Sequence, residues 1–249
     1  MNKKEHFWKM KELYPEGYGY GQFSKSHIAL ICLTFACSIF ISYLYKITSS
    51  DTNNITRLTI ALCLILMDMI KICVVIFSHG DLKIYLPLEL CSFGSMFIAI
   101  DALIKESSLV TSMVMIVSIP AAIMAILFPT TVEIPVFSFH TIHQFSFHGL
   151  MIAYAMMRFN KGECILKYTD VLYTTAVLVA IVIIVYFIDS QFDLNYMFLY
   201  KDDDSAILKR IIEITGGGYK YIGCLIVMAF IAMNFYYLLF KMLEKLIIY

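Results

Sequence analysis

Cys91 and three histidines, His140, His143 and His148, are the side chains best suited to nucleophilic chemistry in this sequence. A thiolate is a strong nucleophile, and an imidazole is a natural base for a thiol proton. Cys91 stands in Leu86-Pro87-Leu88-Glu89-Leu90-Cys91-Ser92, at the opening of an apolar run. Pro87 is read as the first helical residue, because the N–H it lacks would have no helical partner there. Cys91 then lies about one turn inside the helix, where the helix dipole favours the thiolate. Glu89 suits the same dipole. Its charge opposes thiolate formation unless it points elsewhere or pairs with an imidazole. The histidines open a second apolar run, Phe139-His140-Thr141-Ile142-His143-Gln144-Phe145-Ser146-Phe147-His148-Gly149. At about 100° per residue they cover a broad sector of a helix, and any of them could serve as the base. Three histidines with Asp189 or Asp193 could instead ligate a metal. Their spacing matches no zinc signature, so neither a metal nor a cofactor is expected.

The elements that must position these groups are membrane helices. The chain has 249 residues, 60% hydrophobic and 15% charged, with mean hydropathy +0.78. A soluble domain runs at about 45–50% apolar and about 25% charged. The apolar residues come in blocks of about 20, the length that crosses a hydrocarbon core of about 30 Å. Zero net charge gives no reason to expect a nucleic-acid partner. The seven cysteines have no paired spacing, and most of them read as buried small hydrophobes. The expected fold is all-α, a polytopic integral membrane bundle of seven transmembrane helices. The predicted spans are 27–46, 57–77, 86–104, 109–128, 140–158, 170–189 and 219–240. Residues 1–26, with five lysines and Trp8, are read as an interfacial segment without the pattern of a signal peptide. Residues 27–249 form the membrane domain, and 190–218 is its long connection. The positive-inside rule gives a small margin for a cytoplasmic N-terminus in a multi-pass protein of the cell membrane.

Seven spans bring distant polar residues to one leaflet. His27, His79, Glu89, Cys91, His140, His143, His148, Asp189, Asp193, Asn195 and Tyr196 all fall on the same side. Ionisable groups at membrane depth are costly and commonly face a cavity or a partner. Asp68 and Lys71 lie mid-span, one turn apart, and read as a structural ion pair. Asp101 and Asn234 lie mid-span too, without a clear role.

At these residues the chain resembles the YwaF-type bacterial integral membrane proteins, the group that takes in the eukaryotic transmembrane protein 164. The pieces that carry the resemblance are Leu86-Pro-Leu-Glu-Leu-Cys-Ser92, Phe147-His148-Gly149-Leu-Met-Ile152 and Asn195-Tyr-Met-Phe-Leu199, with Phe23-Ser-Lys-Ser-His27 before the first span. Glu89 departs from the family pattern, which often has His there. The resemblance implies a membrane acyltransferase acting on phospholipid and lysophospholipid. It implies Cys91 as acyl carrier and His148 as its partner. Together with the reading of the residues, which adds His143 as a competing base and Asn195 as a group that orients the imidazole or holds the oxyanion, the expected catalytic residues are Cys91, His148, His143 and Asn195. The expected substrate-binding residues are His27, Glu89, His140, Asp189 and Tyr196. Two other readings fit the residues: a binding or transport protein whose path is lined by Asp68, Lys71, Asp101 and the histidines, and a metal-dependent lipid hydrolase using the histidines.

Overall fold

The computed structural model describes residues 7–104, 108–201 and 206–247. Among these every regular element is helical and no strand occurs. The helices are α1 (Lys25–Ile47), α2 (Ser50–Phe77), α3 (Leu90–Leu103), α4 (Ser108–Leu127), α5 (Phe139–Asn160), α6 (Tyr168–Phe192), α7 (Ala206–Thr215) and α8 (Gly218–Ile247). Serines set several starts. The Ser24, Ser49 and Ser138 side chains accept the N–H groups of His27, Thr52 and Thr141.

Five helices, α1, α2, α4, α6 and α8, are long and apolar enough to cross a bilayer. The other two expected spans are of a different kind. Helix α3 has 14 residues, or about 21 Å at 1.5 Å per residue, against a core of about 30 Å. Helix α5 has 22 residues but carries three histidines, Gln144, Arg158 and Asn160. It can hold them because protein, not lipid, covers it: Met151, Ala153, Tyr154 and Met157 are fully buried.

The chain divides into two compact units. The first comprises Met1–Pro87 and Cys91–Ile165, and α5 is its axis, packed on α1, α2 and α4. Helix α1 meets α5 at Gly149, where a Cβ would come within 2.8 Å of the Thr34 Cγ2. There the Ser38 hydroxyl donates to the Gly149 carbonyl at 3.0 Å. Helix α4 widens into a π-type turn over Met113–Ser118. Pro120 follows, and its ring would collide with a carbonyl four residues earlier in a regular α-helix. The N-terminal lead-in packs on this unit from Phe7 onward. Trp8 stacks on Phe139 with centroids 5.4 Å apart, and Tyr20 bonds Thr131 at 3.0 Å. Residues 1–6 of the expected interfacial segment lie outside the described residues.

A charged core closes one end of this unit. Asp101, fully buried on α3, accepts from Tyr154 at 2.6 Å, from Thr111 at 2.7 Å and from the Arg158 guanidinium. Arg57 on α2 donates to the Asp101 carbonyl at 2.6 Å. Glu163 takes the Arg158 Nε at 3.4 Å and the Tyr45 hydroxyl at 2.9 Å. Cys164 follows in the loop after α5, and burial pushes its thiol up to about 12, Arg158 opposing the shift. The thiol therefore stays protonated in the fold where an ordinary thiol, at about 8.5, ionises. Its stabilising contribution is complete below the unfolded value and fades as pH rises toward the folded one. Cys164 is expected to resist iodoacetamide at pH 9 in the folded protein and to react after denaturation, as read by peptide mass spectrometry.

The second unit comprises Leu88–Leu90 and Leu166–Tyr249, with α8 packed on α6 and α7. Helix α6 ends at Asp193, whose φ of 54° is left-handed, and the Leu194 N–H bonds the Asp189 carbonyl at 3.0 Å. Helix α7 lies in what the sequence reads as a connection. Ile207, Ile211 and Ile214 form one stripe, with Arg210 at its flank and Lys209 and Glu213 on the other side, the pattern of an interfacial helix. Gly216, Gly217 and Gly218, all at positive φ, make the turn into α8.

Candidate active site

Helix α3 begins at Leu90, not at Pro87, which stands outside it. Cys91 is half-buried in the first helical turn, closer to the N-terminus than the sequence suggests. Ser95 lies four residues on, on the same face. Both Ser92 and Ser95 donate to the Asp68 carboxylate of α2, at 3.4 and 3.2 Å. Lys71 pairs with the same carboxylate at 3.2 Å. The Asp68–Lys71 pair is therefore part of the surroundings of Cys91, a connection not visible in the sequence.

The packing of α5 sets the level of the histidines. A Cβ on Gly94 would lie 2.6 Å from the Met151 side chain and 3.0 Å from that of Ser118, so α3, α4 and α5 approach closely there. Further along both helices, Asp101 meets Tyr154 and Arg158, so α3 and α5 run parallel. One turn back from the Gly94–Met151 contact stand Cys91 on α3 and His148 on α5. The charges of Asp68 and Lys71 act on His148, and that of Lys71 also reaches His140 and His143. Cys91, Lys71 and His148 thus occupy one layer of three helices.

His148 is buried and tautomerically fixed. Its Nδ1 lies 2.7 Å from the Gln144 carbonyl, which can only accept, so Nδ1 carries the hydrogen. Neutral imidazole then has its lone pair on Nε2, the atom a base uses. His143 is engaged the other way round. Its Nε2 donates to the Met67 carbonyl at 3.2 Å, and its ring stacks on Phe147 at 5.4 Å. His140 is buried between Tyr85 and Phe139, and its Nε2 has no hydrogen-bond partner among the described residues. His27 is held at both nitrogens. Nδ1 accepts the Phe23 N–H at 2.9 Å, and Nε2 donates to the Ile126 carbonyl at 2.9 Å. It fastens the start of α1 to the end of α4 and offers a substrate no open nitrogen. Among the described residues no three His, Cys, Asp or Glu side chains group as metal ligands, so the histidines do not converge on one point.

The other expected site residues belong to the second unit. Glu89 accepts the Met197 N–H at 3.2 Å. The Asn195 Oδ1 accepts the N–H groups of Tyr200 and Lys201, at 3.1 and 2.7 Å, which leaves its Nδ2 as a donor. Tyr196 is buried beside it. Asp189 is fully buried, and neither carboxylate oxygen has a hydrogen bond of standard geometry among the described residues.

A family model, that of the TMEM164 family, matches residues 22–240. The chain belongs to the TMEM164 family. The match covers every expected site residue, from His27 to Tyr196, and does not single out the bacterial YwaF type. No curated protein and no solved structure matches this TMEM164-family chain.

Proposed function

We propose that this protein is a membrane acyltransferase that carries a fatty acyl group on Cys91, with His148 as the base. The support is that a half-buried thiol and an imidazole with its lone pair on Nε2 stand at one level of adjacent parallel helices, each one turn before the Gly94–Met151 contact. His148 Nε2 takes the proton of Cys91. The thiolate attacks the ester carbonyl carbon of a phospholipid, and the carbon–oxygen bond to glycerol breaks. The leaving alkoxide recovers the proton from His148 and departs as lysophospholipid. A hydroxyl of a second lipid then gives its proton to Nε2 and attacks the thioester, and the thiol is restored. Lys71 supplies positive charge at the level where negative charge develops, and Asp68 holds it there. In this reading α3 and α5 complete seven membrane helices, and the N-terminus faces the cytoplasm at the cell membrane.

The test is intact-mass spectrometry of the protein incubated with phosphatidylcholine, wild type beside Cys91→Ala, with lysolipid release assayed on the same samples. The expected result is a fatty-acyl mass on the wild type, removed by neutral hydroxylamine and absent from the variant. Equal lysolipid release from both proteins would overturn the reading.

A further inference from the structure

A cavity of about 490 Å³ lies between α1 and α5, on the side of α5 away from the histidines. Its volume is in the range of small-molecule sites. Leu33, Cys37 and Ile41 of α1 and Phe145 and Leu150 of α5 form its walls, with Phe137 at the edge. Leu33 and Phe137 are 61% and 83% uncovered by protein, so the cavity opens outward. Helix α1 is one of the five spanning helices, so what surrounds it is lipid hydrocarbon, not water.

The polar atoms in the wall tell the same story. The Ser38 hydroxyl is committed to the Thr34 and Gly149 carbonyls, and the Thr141 hydroxyl to the Pro135 carbonyl. Thr34 and Ser146 bring the other side-chain hydroxyls among the lining residues, and the rest of the lining is apolar. We propose that this cavity holds one acyl chain of a membrane phospholipid, as a site separate from the thiol of Cys91. The headgroup stays at the interface while the chain lies along α1, in van der Waals contact with the cavity side of Phe145 and Leu150.

The full chain, reconstituted in vesicles, is irradiated with a phosphatidylcholine bearing a diazirine in one acyl chain, and adducts are mapped by peptide mass spectrometry. The expected adducts concentrate on 33–41 and 141–150, about tenfold above those at Ile183 and Ile184, lipid-facing residues of α6, which corresponds to a preference of about 1.4 kcal/mol. Cys37→Trp fills the cavity and is expected to lower these adducts to the α6 level, and Ile41→Trp serves if the first variant does not reconstitute. Cys91→Ala is expected to retain the full labelling, so a failure of the acyl-transfer reading leaves this result unchanged. Even labelling over all lipid-facing helices, or labelling that both tryptophans leave intact, overturns the site.

Discussion

Replacing His148 by Gln is expected to slow acylation of Cys91 by about 10²–10⁴-fold, the usual contribution of a positioned base. Glutamine is close in size and its amide can still donate to the Gln144 carbonyl, as His148 Nδ1 does at 2.7 Å. What disappears is the lone pair on Nε2. The signature is in the pH dependence. Without a base the residual rate should climb with pH, because hydroxide then removes the thiol proton. A purely structural defect would not be rescued that way. His143→Gln is the control. Its Nε2 is bound to the Met67 carbonyl and its ring is stacked on Phe147, so it should reduce the rate far less. Single-turnover adduct formation, followed by intact mass across pH, separates these outcomes. A wild-type rate in His148→Gln would remove His148 from the mechanism. An equal loss in His143→Gln would make His143 an equal candidate.

The membrane helices were legible because crossing a bilayer needs a long apolar run, and α1, α2, α4, α6 and α8 each provide one. Cys91 and His148 stand out in the sequence for the chemistry a thiol and an imidazole could do together at the openings of two apolar runs. Their surroundings do not. Asp68 and Lys71 explain each other at one turn apart, and nothing in their spacing says that Ser92 and Ser95 join them. Only the antiparallel packing of α2 and α3 does that. Arg57 and Arg158 sit at the ends of the predicted spans 57–77 and 140–158, where basic residues are ordinary, so nothing in the sequence sets them apart. They are instead the buried partners of Asp101. The start of α3 was misplaced because Pro87 satisfies the local rule for a first helical residue, and the chain there takes a bend before Leu90. Helix α7 went unseen because ten residues give barely three turns of periodicity.

Asp101→Ala is expected to destabilise the first unit by about 3–5 kcal/mol, because it leaves buried positive charge uncompensated. The carboxylate is inaccessible and faces two guanidinium groups that are about 5% and 6% exposed. Its oxygens also satisfy Tyr154 and Thr111. Glu163 remains, yet one carboxylate cannot balance both arginines, and the Arg57 Nε already has no hydrogen-bond partner among the described residues. Asp101→Asn keeps the shape and loses the charge, so its loss should be intermediate. Asp101→Ala combined with Arg158→Met should lose less than the two single changes added together, since an ion pair replaced by apolar groups is nearly neutral. Equilibrium unfolding in detergent measures the four variants beside the wild type, and a wild-type stability for Asp101→Ala would show the cluster to be solvated and dispensable. The same substitution reaches the thiol. Helix α3 is too short to be positioned by the bilayer alone, so it is held at both ends: by Asp68 on Ser92 and Ser95, and by Asp101 on Tyr154, Thr111 and Arg158. Freeing the second end lets the first turn shift against His148. Acylation of Cys91 should therefore fall in Asp101→Ala even where most of the protein remains folded, while Asp101→Asn, whose oxygen can still accept from Tyr154 and whose amide can donate to the Thr111 hydroxyl in place of accepting from it, should keep more of the rate.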